Sequence, residues 1–471
     1  MAALILNELD YLDSVLYYPV LVVVLVVAGL YFSWRTRLVQ LRMCAESIRV
    51  VLEKPQGAES VSSFQALMVS TASRVGTGNI IGISTAICLG GPGSVFWMWL
   101  VAIIGGASAF IESTLAQIYK RRDSQGGSYG GPAYYIESAM HSPFIGAVFD
   151  LFLILTYAAG FNLLASYNLQ STFAVYSFYD KATTPWILGA IFAVLVGYCI
   201  LGGGKRIVRT TSWIVPIMGG IYVVAALYII LTHITYIPDV FALIFANAFD
   251  FQAIFGGIAG SCLMYGVKRG LYSNEAGIGS APNAAATADV SHPVKQGLVQ
   301  MLSVYLDTLV VCTATAMMCL CSGVPITKEA AGATYVQQAL TADLGSFGPI
   351  LITVCMVLFA FSTLIGNLFY VDNCLTFLHG KVPSKSFMVA YRIIAALIIF
   401  VGAGMSMAAA WDIADIFMAF MCLINIPACA ILGTTAVKAM KDYERQKKEG
   451  KNPVFLAKNI GLDETNLDFW K

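Results

Sequence analysis

The stretch Ala72-Ser-Arg-Val-Gly-Thr-Gly-Asn79 interrupts an apolar segment that runs from residue 64 to residue 89. Glycine destabilises a helix interior by about 1 kcal/mol relative to alanine, and here two glycines stand beside Thr77 and Asn79. Close helix packing through small residues would explain the glycines, but it would not require the polar neighbours. The sequence therefore predicts a helix that unwinds partway along its length. Inside a bilayer, such a break is tolerated only where the backbone is buried in protein or lines a wet cavity.

The composition of the whole chain indicates a polytopic membrane protein. Of its 471 residues, 58% are hydrophobic and 12% are charged, whereas a soluble domain carries roughly 25% charged residues. The formal net charge of +1 gives no field for binding nucleic acid. A disordered or collagen-like chain is excluded by the same composition.

Cysteine and histidine usage predicts neither disulfides nor a metal centre. The 11 cysteines lie mostly in apolar segments without Cys-x-x-Cys spacing, and the four histidines are far apart. No cofactor is expected apart from a coupling Na⁺. The apolar stretch from Tyr17 to Trp34 is followed by arginines rather than by a small-residue cleavage site, so we expect a retained first span.

Apolar segments of about 20 residues, the length that crosses a bilayer core, occur about eleven times. They fall near residues 17–34, 64–89, 94–118, 145–176, 185–203, 211–233, 253–272, 297–322, 346–378, 386–407 and 411–437. With this count, the basic clusters of the connecting segments, including Lys268-Arg269, all fall on one side. Because such residues stay cytoplasmic, we expect the N-terminus outside and the C-terminus inside an inner or plasma membrane.

A second interruption, Gly256-Gly-Ile-Ala-Gly260-Ser261, falls five spans after the first. Two interrupted helices in corresponding positions of two halves are typical of transporters built from inverted repeats. We therefore expect an all-α integral membrane fold, with one extra N-terminal helix followed by a 5+5 inverted repeat. The corresponding domains are an N-terminal helix with its connector (1–63), two five-helix repeats (64–233 and 234–437) and a cytoplasmic tail (438–471).

An unwound helix can bind both ends of an amino acid and a cation. Free N–H groups at the start of a half-helix suit a carboxylate, here at Thr77-Gly78-Asn79. Free carbonyls of the opposite break suit the ammonium group, and carbonyls with hydroxyls suit Na⁺. Ser362 and Thr363 in the ninth span are further candidate cation ligands, unless they only hydrogen-bond to the preceding helical turn.

Few ionisable residues lie inside the predicted spans, and each is a functional candidate by default. Arg74 could pair with Asp307 or Glu275, or gate the cytoplasmic path. Glu112 is interpreted as a structural or gating acid, and Asp307 with Thr308 could hold the break or a cation. Hydroxyls outnumber titratable groups, so Na⁺ is favoured as the coupling ion, with H⁺ as the alternative.

Several motifs resemble those of the alanine/glycine:cation symporter family, also called the sodium:alanine symporter family, of the amino acid–polyamine–cation superfamily. The segments that match are Val75–Asn79, Gly90–Trp99, Gly130–Ala133, Ser273–Asn283, Asp307–Thr313 and Phe359–Thr363. The resemblance implies a leucine-transporter-type fold and Na⁺-coupled uptake of small neutral amino acids by alternating access. We expect a monomer whose partners are the amino acid, Na⁺ and the lipid bilayer.

The residue pattern and the resemblance together give the candidate site residues. The substrate-binding candidates, including those of the second predicted break, are Gly76, Thr77, Gly78, Asn79, Gly260, Ser261 and Asn367. The Na⁺-binding candidates are Ala72, Val75, Asn79, Thr308, Ser362 and Thr363, and the gating or charge-pair candidates are Arg74, Glu112, Glu275 and Asp307. Ser273–Asn283 is interpreted as a cytoplasmic re-entry with a gating role.

The chain departs from the family pattern at Asn367, where many members have tryptophan. A smaller and more polar residue should enlarge the pocket and offer an amide, so glutamine or asparagine becomes plausible beside alanine and glycine. The family also tends to have Gln-x-Asn in the fourth span, where this chain has Ala165-Ser166-Tyr167.

Other functions fit the sequence less well. A channel would line several spans with polar residues along their whole length, whereas polarity here concentrates near mid-depth. A membrane enzyme would need a catalytic constellation such as HExxH, and an ATP-driven pump would need GxxxxGK[ST]. The sequence contains neither motif.

Overall fold

The computed structural model describes residues 2–54, 57, 60–122, 127–250 and 261–471, and it is almost entirely helical. The helices of the first half are α1 (Ala2–Val15), α2 (Val22–Arg35), α3 (Val39–Arg42), α4 (Cys44–Val51), α5 (Ser63–Arg74), α6 (Ile83–Gly90), α7 (Ser94–Ile118), α8 (Pro132–Met140), α9 (Pro143–Ile154), α10 (Phe161–Ser171), α11 (Thr184–Ile200) and α12 (Gly203–Thr232). Those of the second half are α13 (Ile237–Ala248), α14 (Cys262–Asn274), α15 (Pro282–Ala285), α16 (Val294–Tyr305), α17 (Thr313–Cys321), α18 (Ala333–Leu344), α19 (Phe347–His379), α20 (Lys385–Gly402) and α21 (Met407–Lys448). A short antiparallel ribbon pairs β1 (Arg121–Arg122) with β2 (Ser128–Tyr129).

Short non-α turns join several of these helices. Wide π-helical turns occupy Leu16–Leu21, Gly78–Gly82, Leu155–Gly160 and Leu306–Cys312, and 3₁₀ turns occupy Thr172–Val175, Ile234–Tyr236 and Ala457–Ile460. Wide turns inside helices are rare and frequently mark functional sites.

The predicted spans are largely confirmed. Among the described residues, seven helical segments are long and apolar enough to cross a membrane: Ser94–Ile118, Pro143–Val175, Gly203–Thr232, Val294–Cys321, Phe347–His379, Lys385–Gly402 and Met407–Lys448. The other four predicted spans correspond to the shorter helices α2 and α11, the interrupted pair α5–α6, and α14. The beginning of the predicted span 253–272, including Gly260, lies outside the described residues.

Helix α7 lies at the centre of the molecule and packs against α2, α14, α16 and α21. Helix α14 runs antiparallel to α6, because Tyr272 lies against Gly78 while Tyr265 lies against Gly90. The start of α7 lies beside α14 at Gly266, and its last turn, at Gln117, is bonded to the C-terminal tail. Helix α14 therefore lies in the half of the protein opposite the tail.

This position contradicts one element of the charge-sidedness prediction. Lys268 and Arg269 belong to α14 and are not on the same side as the tail. They pair instead with Asp13 and Asp415 in a largely buried network. Buried charges can remain on either side of a membrane protein because their partners, rather than water, stabilise them.

Candidate functional site

The first predicted interruption is present. Helix α5 begins with a capping box between Ser62 and Gln65 and ends at Arg74, where Val75 leaves the helical conformation with ψ 86°. Winding resumes at Gly78. The side chain of Asn79 bridges the break: its Oδ1 accepts a hydrogen bond from the N–H of Gly76 at 2.8 Å. A helix that starts here leaves its first N–H groups without intrahelical acceptors.

Glycine is required at two positions of this break because side chains of neighbouring helices approach the backbone closely. A Cβ atom on Gly76 would lie 2.0 Å from Oγ1 of Thr363, and one on Gly78 would lie 2.3 Å from Cε1 of Tyr272. Helices α19 and α14 therefore contact the unwound segment directly. Among the described residues, the buried Thr363 hydroxyl has no hydrogen-bond partner.

A second interruption lies at Glu275–Ala281; of the predicted stretch Gly256–Ser261, residues 256–260 lie outside the described part of the chain. Helix α14 ends at Asn274, and left-handed φ values follow at Glu275 (54°), Gly277 (86°) and Gly279 (91°) before α15 starts. The interpretation of Ser273–Asn283 as a cytoplasmic re-entry is therefore wrong: this segment is the helix break itself. Its glycines supply the positive φ that other residues adopt only under strain.

Ser261, a substrate-binding candidate, lies away from both breaks. It caps the start of α14, where its hydroxyl accepts the N–H of Met264. The thirteen residues of α14 separate it from the second break by about 20 Å, at 1.5 Å per residue. Gly260, the other candidate from that stretch, lies outside the described residues.

The two breaks face one another across Ser73. The hydroxyl of Ser73 lies 3.0 Å from Oε1 of Glu275 and 2.7 Å from Oδ1 of Asn367. Arg74 forms the predicted ion pair with Glu275, at 3.9 Å, and not with Asp307. Ser280 donates to the other oxygen of Glu275 at 2.7 Å. The carboxylate of Glu275, which belongs to the second break, thus connects the second break to the first.

Asp307 connects the first break to the end of α14. Its Oδ1 accepts the amide of Asn79 at 2.7 Å, and its Oδ2 accepts the hydroxyls of Ser273 at 2.7 Å and Thr308 at 3.0 Å. Asn274 in turn donates to Thr308 at 3.3 Å. Asp307 itself lies in the wide turn Leu306–Cys312 and is fully buried. Asn79, Asp307 and Thr308 are therefore brought together as expected.

Glu112 on α7 supports the second break. Its Oε1 accepts the N–H of Gly277 at 3.3 Å, and its Oε2 accepts the amide of Asn425 at 2.7 Å. Asn425 also donates to the carbonyl of Gly277 at 2.9 Å. Asn425 was not predicted from the sequence; a polar residue inside the apolar span 411–437 was the available signal.

The remaining predicted ligands divide into two groups. Helix α19 lies along the break, since a Cβ on Gly366 would lie 3.2 Å from the carbonyl carbon of Ala72. Ser362, by contrast, uses its hydroxyl within its own helix, donating to the carbonyl of Phe359 at 3.0 Å. Thr363 is consequently the better-placed hydroxyl of the pair. Val75 follows the last residue of α5 and directly precedes Gly76.

Asn367 is held between two helices. Its Oδ1 lies against Ser73 of α5, and its amide donates to Oδ1 of Asn162 on α10 at 2.9 Å. A second asparagine of α10, Asn168, donates to Oγ1 of Thr77 at 3.1 Å. Asn162 and Asn168 were not predicted, although both are amides inside an otherwise apolar span.

An aromatic layer and an ion-pair network cover the site on the side opposite the tail. Tyr272 contacts Phe161 and Trp411, with ring centroids 4.8 and 4.9 Å apart. One turn before Tyr272 on α14, Arg269 lies 3.6 Å over the ring of Trp411 and 3.3 Å from Asp415. Thr77, Asn79, Asp307 and Asn367 have no exposed surface, so the site is closed on both sides in this conformation.

Comparison with known proteins gives the family. Residues 2–457 match the sequence model of the sodium:alanine symporter family. The chain belongs to that family. Relatives of this symporter include the amino-acid carrier protein AlsT of Bacillus subtilis, 42% identical over 99% of this chain and 98% of AlsT. The probable sodium/glutamine symporter GlnT of the same organism is 43% identical (97% and 94%), and the sodium/alanine symporter AgcS of Methanococcus maripaludis is 35% identical (93% and 98%).

The fold of the symporter is shared with a solved structure. MhsT in complex with L-phenylalanine aligns with a TM-score of 0.53 and 13% identity, over 82% of this chain and 92% of MhsT. At this identity the likeness concerns the fold alone. It confirms the predicted leucine-transporter-type fold, which is consistent with the 5+5 inverted repeat. The family and the apolar helices make this a multi-pass membrane transporter.

Proposed function

We propose that this symporter couples Na⁺ entry to the uptake of small neutral amino acids by alternating access. The observation that carries the proposal is the meeting of two helix breaks in one closed polar core, joined by Ser73–Glu275 and by Asn79–Asp307. Free backbone groups of both polarities occur together only at such breaks, and a zwitterion needs both.

The amino acid is oriented by the two breaks. Its carboxylate binds the free N–H groups at Thr77 and Gly78, where the partial positive charge of the half-helix start favours an anion. Its ammonium group faces the carbonyls of the second break and the carboxylate of Glu275. The close contacts at Gly76 and Gly78 leave little space, which favours alanine and glycine.

The charges in the core support a cation as co-substrate. Three carboxylates (Glu112, Glu275 and Asp307) lie with a single guanidinium (Arg74), and all four groups are buried. If all are ionised, two negative charges are in excess. Excess buried charge is costly in a membrane protein unless a cation or protons neutralise it.

Two cation positions follow from the contacts. One uses the carbonyls of Ala72 and Val75 with the unpartnered hydroxyl of Thr363. The other uses the carboxylate of Asp307 and the hydroxyl of Thr308. Asn79, expected as a further ligand, instead turns its N–H to Asp307 and keeps its Oδ1 on the N–H of Gly76. Oxygen ligands of this kind are those that hard cations prefer.

Glutamine is a second candidate substrate, beside alanine and glycine. The amide of Asn367 borders the core, and GlnT, named a probable sodium/glutamine symporter, is 43% identical to this chain. Proton coupling is the alternative to Na⁺, since three carboxylates are available to titrate. We propose a monomer in the inner or plasma membrane, with the N-terminus outside and the tail cytoplasmic.

Uptake into proteoliposomes tests the proposal. Labelled alanine should accumulate with an inward Na⁺ gradient and should not with a K⁺ gradient of equal size. Accumulation driven by a pH gradient alone would assign the coupling to H⁺. Flux that never exceeds equilibration under either gradient would indicate a channel. Competition by all twenty amino acids then ranks the substrates.

A further inference from the structure

An open cavity of about 520 Å³ lies between the turn that follows α2 and the end of α21, far from the substrate core. Its lining contains four basic and two acidic side chains together with Met43. The charged residues are Arg37, Arg42, Lys447, Lys448, Glu46 and Glu444.

The acidic side chains neutralise only two of the four cations. Arg42 pairs with Glu444 at 2.8 Å, and Lys447 pairs with Glu46 at 3.3 Å. Within the described part of the chain, no carboxylate lies within ion-pair distance of Arg37 or Lys448. Both are exposed, so the cavity wall carries an excess of two positive charges.

The surroundings of the cavity indicate that it lies at the surface of the bilayer. It begins one turn beyond Trp34, the 74% exposed tryptophan at the end of the first apolar helix; tryptophan is enriched at membrane–water interfaces. The connector that follows also exposes apolar side chains: Leu41 by 61%, Ile48 by 52% and Leu52 by 78%. Helices that combine basic and exposed apolar residues in this way lie in the interface.

The backbone of the turn is also unusual. Arg37 and Leu38 are consecutive non-glycine residues with left-handed φ values of 54° and 55°. Such conformations are unfavourable for L-residues and persist only where the surroundings hold them. The turn brings Arg37 to the cavity, opposite Lys448 on α21.

We propose that this cavity binds the phosphate-bearing headgroup of an anionic phospholipid from the leaflet on the tail side. Arg37 and Lys448 bind the phosphate, and the acyl chains lie beside Trp34 and the apolar residues of the connector. Basic clusters next to the end of a membrane helix recognise anionic lipids in this manner. The lipid fastens the connector to α21, and this role is independent of which amino acid is transported.

In the test, the purified full chain is kept in mixed micelles that contain phosphatidylcholine, and phosphatidylglycerol is added stepwise. Native mass spectrometry then counts the lipid molecules that remain bound. The double substitution Arg37→Gln/Lys448→Gln should weaken phosphatidylglycerol binding about 30-fold, each basic residue contributing about a fivefold factor. The matched control, Lys381→Gln/Lys385→Gln, removes two exposed charges at a different connection and should change binding less than twofold.

Three results would overturn the proposal. These are equal phosphatidylglycerol affinity in the parent and the double variant, equal weakening in the control, and equal binding of phosphatidylcholine. Inorganic phosphate that displaces the lipid at millimolar concentration would assign the cavity to a soluble anion instead. If the double variant melts at a lower temperature than the parent in phosphatidylcholine alone, the single variant Lys448→Gln replaces it, because Lys448 lies at the exposed end of α21. This single substitution should weaken phosphatidylglycerol binding about fivefold.

Discussion

The side-chain amide of Asn79 donates a 2.7 Å hydrogen bond to Oδ1 of Asp307. The same asparagine accepts the N–H of Gly76 through its Oδ1. One residue therefore closes the first helix break and binds it to a buried carboxylate 228 positions away in the chain. Any ligand that alters the charge of Asp307 will be coupled to the geometry of the break.

Asp307→Asn tests whether this carboxylate contributes to cation binding. The change keeps the shape of the side chain but removes one negative charge. We expect the Na⁺ concentration for half-maximal alanine uptake to rise tenfold or more, because a contact to a charged group contributes about 1.5–3 kcal/mol. Asp343→Asn, which alters a carboxylate paired with His233 far from the core, is the control. Unchanged Na⁺ dependence in Asp307→Asn would remove this residue from the cation site.

Gly78→Ala tests the close approach of α14 to the break. The new Cβ would lie 2.3 Å from Cε1 of Tyr272, so the two helices must separate. Overpacking of this kind typically costs about 1–3 kcal/mol, and we expect a lower melting temperature and loss of uptake. Gly219→Ala on α12, where the Cβ would meet nothing within 4 Å, should leave uptake intact. Similar behaviour of the two variants would show that the contact is unimportant.

Asn367→Leu tests the contribution of the amide to substrate range. The side chain keeps nearly the same size but loses its contacts with Ser73 and Asn162. If the amide of Asn367 also binds a glutamine side chain, glutamine should compete about fivefold less well against labelled alanine, as expected for one lost hydrogen bond of about 1 kcal/mol. Glycine competition in the same protein is the internal control. A parallel decline of both competitors would indicate a general defect of the site.

Trp470→Ala tests how the tail holds the face of the protein at which α5 begins. The indole N–H donates to the carbonyl of Gln117 at 2.8 Å, and the ring packs on the cluster of Ala66, Ala288 and Val290. Removing a half-buried tryptophan should cost about 2–3 kcal/mol and speed amide hydrogen exchange at residues 61–66 and 286–291. Lys458→Ala, at an exposed position of the same tail, should change neither. Unaltered exchange in Trp470→Ala would show that the tail does not restrain these segments.

The buried side chain of His292 should make the folded protein less stable in mild acid. It lies outside the spans, and burial lowers its pKa below the usual 6.5 despite Asp442 at 3.4 Å; Lys295 lowers the pKa as well. The unfolded chain therefore takes up the proton first, so stability falls as the pH drops through 6.5 and below. The pKa of Asp442 is itself lowered, so this carboxylate stays ionised in that range.

Melting temperatures between pH 8 and pH 5.5 measure this effect. The parent should melt at progressively lower temperature on acidification, and His292→Gln should show a flatter dependence. Identical slopes would show that His292 does not govern the acid sensitivity.

The family, the membrane spans and the first break were predictable because they depend on local composition. Long apolar runs must be helices in lipid, and Gly76, Thr77, Gly78 and Asn79 weaken a helix wherever they occur together. The domain boundaries and the assignment of individual ligands stay predictions. Asp307 and Arg74 could be selected from sequence because ionisable residues are rare in spans, yet the choice of Glu275 as the partner of Arg74 had to come from the structure.

The position of the second break was decided by tertiary structure. Ser273–Asn283 is as rich in small residues as the predicted stretch Gly256–Ser261, and composition alone did not identify it as a break. Residues 256–260 lie outside the described part of the chain. The antiparallel packing of α14 on α6 brings Tyr272 to Gly78 and thereby sets the end of α14, with Glu275, beside the first break. Local sequence can weaken a helix at several places, but only contacts between distant segments set one break beside another.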